Sequence, residues 1–334
     1  MGPSKIRLTV LAMLIAATTG CSIFPKNFGK LEGRFWCNQR SIDMVQKYQD
    51  PIRSKLKQKL DLAKSAFDYS TAAVLTLQKE EKETEFHFRK PDYLDELTDL
   101  REDQFNGFQA TTFIKNRTDH NPEKQVIIAF RGSDQWRDYL WHNAWIWPVQ
   151  YKPAREYVKR VYADPRTKGL PIVVTGISLG GGLSSHVAKH PETNKLVAQA
   201  WLFNSSPRNG VAPGKQKNIY LLAAENEILN SFDREQLGAE KENTNTTYKL
   251  VNSSSIYAHY RWIIQREILI YADLGFLVDS NRTASTSPAL KILETQGPEL
   301  CNPDTSKQIA KDRRDYTNSR KTFDMNPKTS DTKI

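Results

Sequence analysis

Only three cysteines occur in the 334 residues, Cys21, Cys37 and Cys301, and no histidines stand at matching spacing, so the sequence offers no zinc site. No internal repeat is present, which excludes solenoids and propellers. Beyond the N-terminal segment no uninterrupted apolar run is long enough to cross a bilayer, since Ile268 to Val278 is broken by Asp273. Zinc-finger spacing, an RNA-recognition signature and a dense basic helix are all missing, so the net charge of +10 has no nucleic-acid motif behind it. Acidic lipid headgroups are the remaining anionic partner for that charge.

The first residues do carry a pattern. Lys5 and Arg7 precede an apolar stretch from Leu8 to Ala17, then Thr18, Thr19, Gly20 and Cys21. A basic start, a short apolar segment and small residues make an export signal, too short for a stable membrane anchor. Gly20-Cys21 also resembles a bacterial lipobox, although Thr18 stands where leucine is usual. It makes Cys21 a candidate for lipidation and the cell envelope the expected location, as a membrane-anchored lipoprotein facing the periplasm or the cell surface. With Cys21 acylated, Cys37 and Cys301 remain as a candidate disulfide in an oxidising compartment. Residues 22–40 read as a tether, 41–300 as one domain, and 301–334, rich in Lys, Asp, Thr and Asn, as a polar tail with too few apolar residues to order itself.

Within the domain, Ile42 to Leu77 has helical spacing and Glu80 to Glu102 reads as a charged surface excursion. Further on, short apolar runs at Val126–Phe130, Ile172–Thr175, Ala198–Phe203 and Ile219–Ala223 are separated by helical or loop segments. Such runs suit strands buried on both faces, and their alternation with helices predicts an α/β fold with a mostly parallel sheet, flanked by helices and preceded by a helical region.

One turn between a strand and a helix carries chemistry. The run Ile172–Thr175 leads into Gly176-Ile177-Ser178-Leu179-Gly180, which is Gly-x-Ser-x-Gly in the strand–turn–helix setting that exposes a serine nucleophile. Ser178 is the expected nucleophile and the backbone N–H of Leu179 an expected oxyanion donor. No lysine follows the glycines, so a phosphate-binding loop does not fit.

Two further stretches sharpen this. Val126–Phe130 continues into Arg131-Gly132-Ser133, and Leu202-Phe203 continues into Asn204-Ser205-Ser206-Pro207-Arg208. With the elbow, these resemble the class 3 (triacylglycerol-type) lipases of the α/β-hydrolase superfamily, whose strands end in Phe-Arg-Gly-Ser/Thr and Phe-Gly-Ser-Pro-Arg. The resemblance is clearest from Gln125 to about Tyr260. Ile177 departs from the histidine usual before the family's serine, at a variable position. The resemblance implies that Ser133 contributes to the oxyanion hole. It also implies a lid helix at the stretch holding Trp136, Trp141, Trp145 and Trp147, four of the seven tryptophans. Core packing is the alternative reading of those indoles.

The base and the acid follow from chain order. Hydrolases of this type place the histidine last, after serine and acid, and of the six histidines only His259 satisfies that. In the family an Asp followed by an aliphatic residue supplies the acid after the next strand, and Glu227-Ile228 occupies that place, with Asp233 and Glu225 as alternatives. The whole predicts an ester hydrolase, of lipase or phospholipase A type, acting on lipid or phospholipid at a membrane surface through an acyl-enzyme, with no cofactor and no metal. The competing reading is a catalytically silent lipoprotein of the same fold that binds lipid or a protein.

Overall fold

The computed structural model describes residues 53–79, 87–104, 107–132, 136–225, 227–249, 255–279 and 287–294. The expected export signal, tether and tail lie outside these residues, as do Cys21, Cys37, Cys301 and Ser133. In chain order the elements are helix α1 (Arg53–Gln78), strands β1 (Leu94–Glu96), β2 (Glu102–Asp103), β3 (Gln109–Lys115) and β4 (Gln125–Phe130), and helix α2 (Trp136–Ala163). There follow β5 (Ile172–Ile177), α3 (Leu179–Lys189), β6 (Val197–Phe203), β7 (Ile219–Ala224) and β8 (Thr244–Tyr248). Helices α4 (Ser255–Ala258), α5 (Arg261–Asp279) and α6 (Pro288–Glu294) complete the chain.

Among the described residues the strands form one eight-stranded sheet in the order β1-β3-β4-β5-β6-β7-β8, with β2 also paired to β3. From β4 to β8 every pairing is parallel, and β1, β2 and β3 join antiparallel at one edge. The fold is α/β, a mostly parallel sheet flanked by helices on both faces. Three strands depart from the sequence reading. The charged stretch expected as a surface excursion contributes β1 and β2, because its backbone groups pair with β3 while its acidic side chains stay at the rim. Strand β8, Thr-Asn-Thr-Thr-Tyr, has no apolar run to announce it and only Tyr248 is buried.

Alternation within the strands explains the layers. On β4, Ile127 and Ala129 pack on one side with α1 and α5, through Phe67, Ala73, Ile264 and Ile268. The intervening Val126, Ile128 and Phe130 pack on the other side with α2 and α3, through Val158, Val161, Leu183 and Val187. A period of two therefore sends a continuous apolar run to two cores at once. At about 25 cal/mol per Å² of apolar surface, such two-sided burial is the main stabilising term of the sheet. Because β4 to β7 are parallel, their carboxyl ends lie along one edge, and this edge carries Gly132, Ser178, Asn204 and Glu227.

Candidate active site

Ser178 sits between β5 and α3 with φ 56° and ψ −120°, a backbone conformation that L-residues avoid. Close backbone approach makes the elbow. A Cβ on Gly176 would lie 2.3 Å from the carbonyl carbon of Gly180, and one on Gly180 would lie 2.1 Å from the Phe130 carbonyl oxygen. Only glycine lets α3 start so near both strands. Backbone bonds fix the serine further: its N–H donates to the Phe203 carbonyl at 3.0 Å, and its carbonyl accepts from the Ser206 N–H at 3.0 Å. Ser178 is only 4% exposed, so the elbow does not hold it out into bulk water. Leu179 is the first residue of α3, where N–H groups have no partner within the helix.

His259 follows the short helix α4. Its Nε2 lies 3.1 Å from Ser178 Oγ, and its Nδ1 lies 2.7 Å from Glu227 Oε2. These two contacts span 81 and 32 residues of sequence, so the fold alone brings the three side chains together. Glu227 is 1% exposed and begins the 3-10 turn Ile228–Ser231, whose Leu229 N–H donates to Oε2 at 2.9 Å. Its other oxygen accepts from the Arg234 guanidinium, which also donates to Asn230 Oδ1 at 2.6 Å. Burial pushes the Glu227 carboxyl up, but the His259 hydrogen bond, the Arg234 charge and the Leu229 N–H outweigh it and leave the group below the ordinary glutamate value. A buried carboxylate at this point is therefore ionised, with its two oxygens fully engaged.

The alternative acids stand elsewhere. Asp233 is exposed and accepts from the Glu235 N–H at 2.8 Å, where the next 3-10 turn begins. Glu225 lies 3.7 Å from Lys249 Nζ with its side chain 43% exposed. Among the other histidines, His186 is built into α3: its Nδ1–H donates to the Asn209 carbonyl at 2.7 Å, Arg155 donates to its Nε2 at 2.8 Å, and its ring stacks on Tyr151. Burial lowers it to about 4, so it stays neutral as a structural group.

Two side chains that the sequence does not single out complete the surroundings. Arg234 neutralises the buried acid; its only sequence signal is its position seven residues beyond Glu227. Asn204 directly follows β6, in the stretch Phe203-Asn204-Ser205-Ser206-Pro207-Arg208, where nothing local marks it as a partner of the other site residues. The backbone of the stretch expected as a lid forms the first half of α2, and the side chains of Trp136, Trp141, Trp145 and Trp147 lie outside the described residues. Among the described residues no group of three or more His, Cys, Asp or Glu could hold a metal ion.

Residues 57–210, just under half the chain, match the family model of the Tle-like phospholipase domain. No curated protein matches the chain. Solved structures similar to it include a triacylglycerol lipase from Penicillium expansum, at 15% identity over 50% of this chain and 73% of that one, with a TM-score of 0.33. A mutant form of MDLA from Penicillium cyclopium is similar at 16% identity over 57% of this chain and 78% of that one, with a TM-score of 0.29.

Proposed function

We propose that the protein is a serine ester hydrolase acting on lipid esters, with Ser178 as nucleophile, His259 as base and Glu227 as the orienting acid. The observation that carries this reading is the hydrogen-bonded series Ser178 Oγ, His259 Nε2, His259 Nδ1, Glu227 Oε2. The Ser178 hydroxyl proton passes to His259 Nε2 as Oγ bonds to the ester carbonyl carbon, and the carbonyl π pair becomes an oxyanion. Backbone N–H of Leu179, together with Ser133, is the proposed cradle for that charge. The intermediate collapses, the alcohol leaves with the proton from His259, and water repeats the sequence to release the acid and restore Ser178. Glu227 holds His259 in the Nδ1–H tautomer and stabilises the imidazolium.

The Tle-like phospholipase match supports a phospholipid as the ester, and the basic charge of +10 suits an anionic membrane surface. The tryptophan-rich start of α2 is the proposed lid at that surface. Export with lipidation at Cys21, and a Cys37–Cys301 disulfide, complete the proposal. Mass spectrometry of the mature N-terminus tests the first, and an unmodified Cys21 in the envelope-borne protein would remove it. For the activity itself, a fluorophosphonate should label Ser178, and Ser178→Ala should lose both labelling and hydrolysis of p-nitrophenyl esters and phospholipid, by about 10⁴-fold or more, at a nearly unchanged melting temperature. Turnover retained by Ser178→Ala would sink the assignment, and a wild-type protein that neither labels nor turns over would favour the silent binder.

A further inference from the structure

Asn204 directly follows β6 with φ 40°, is fully buried, and uses both ends of its carboxamide on chain segments far apart in sequence. Its Nδ2 donates to the Ala258 carbonyl at 3.0 Å, the residue immediately before His259. Its Oδ1 accepts from the Ala224 N–H at 2.9 Å, at the end of β7 and three residues before Glu227. The Asn204 N–H donates to the Leu222 carbonyl at 3.0 Å, and the preceding residue, Phe203, accepts from the Ser178 N–H at 3.0 Å. One residue thus touches the strand end of the acid and the turn of the histidine, and is joined through its neighbour to the serine.

We propose that Asn204 is a positioning residue for the hydrolysis, a bracket whose carboxamide fixes the distance between the histidine turn and the strand end that leads to Glu227. This rests on the assignment of Ser178, His259 and Glu227 as the reacting set, and adds to it the part that holds the set in register. The need for such a bracket lies in the local structure. The acid follows β7 on a 3-10 turn and the histidine follows a helix of four residues, and neither is a rigid element. A residue with positive φ that is not glycine persists only where its side chain returns something, and asparagine tolerates that region best while offering a donor and an acceptor. Glycine would relieve the backbone and delete the bracket, which makes it the informative replacement.

The test uses Asn204→Gly and Asn204→Asp in the full chain, with three readouts. With a soluble p-nitrophenyl ester, Asn204→Gly should lower kcat about 10- to 100-fold while KM stays within about twofold, because the reacting groups lose alignment and not the substrate its site. In proton NMR, the downfield resonance of the His259 Nδ1–H held by Glu227 should be present in the wild type and broadened or lost in Asn204→Gly. Asn204→Asp keeps the shape and the acceptor toward Ala224 but turns an oxygen toward the Ala258 carbonyl, so its kcat should fall likewise; it also serves if the glycine variant does not fold. Either variant, folded, with kcat within about threefold of wild type and an intact resonance overturns the proposal. If the wild type proves inactive yet its resonance is present and disappears in Asn204→Gly, the hydrolase reading fails while the bracket stands.

Discussion

The two halves of the site are held by different means. On the serine side, Ser178 is gripped by backbone: β5, α3 and β6 meet through glycines and main-chain hydrogen bonds, and no side chain is needed to fix its position. On the other side, Glu227 and His259 stand on short turns held largely by side chains: Arg234, beside the backbone N–H of Leu229, on the acid, and Asn204 on the histidine turn. Backbone-held parts fail by steric clash and take the fold with them. Side-chain-held parts fail by losing a hydrogen bond or a charge, and can lose alignment in a protein that remains folded.

The largest test of this difference is at the acid. Glu227→Gln keeps the shape but removes the charge 2.7 Å from His259 Nδ1, so under the proposed mechanism kcat should fall by about 10⁴-fold with KM little changed. Asp233→Asn and Glu225→Gln, at exposed carboxylates engaged elsewhere, should stay within about threefold of wild type. Steady-state kinetics on one soluble ester decides it, and a silent Glu227→Gln beside a crippled Asp233→Asn would move the acid to Asp233.

A smaller effect is expected on the backbone-held side, and in stability first. Gly180→Ala would place a methyl group 2.1 Å from the Phe130 carbonyl oxygen, where neither β4 nor α3 has room to retreat. The expected cost is about 3 kcal/mol, read as a lower urea midpoint at constant m-value. A variant as stable as wild type would show that the elbow is looser than its contacts imply.

This division also sets what was legible in the sequence. Apolar runs such as Val126–Phe130 and Ile172–Thr175 announce buried strands because both faces of each strand meet a core, and the glycines of the elbow announce the turn because nothing else fits. The placement of Glu227 and His259 came from chain order and resemblance, since nothing local in Asn226-Glu227-Ile228 or Ala258-His259-Tyr260 distinguishes them from a surface turn. Asn204 was not legible as a partner, because a contact across 54 residues leaves no spacing to read, and Arg234 meets Glu227 across seven residues of 3-10 turn and loop where no regular period pairs them. Strand β8 escaped for a related reason, because at the sheet edge it needs backbone pairing with β7 more than an apolar run.

The smallest effect is electrostatic and separates the halves by pH. Glu227 in the folded protein lies below its ordinary value: burial opposes this, and the His259 hydrogen bond, the Arg234 charge and the Leu229 N–H prevail. The unfolded chain, whose glutamates titrate near about 4.3, therefore binds a proton at this position before the folded one does. The stabilisation is fully present above that pH and is lost as pH falls through the lower folded value, with a slope of at most about 1.4 kcal/mol per pH unit. Glu227→Gln removes this titration, so its stability should fall less steeply than that of wild type as the pH is lowered from about 5 to about 3. Gly180→Ala has no charge to lose, and its curve should run parallel to that of wild type at every pH. Urea unfolding at a series of pH values measures both slopes at once. Equal slopes for wild type and Glu227→Gln would mean that the acid's partners do not favour its ionised form in the folded state.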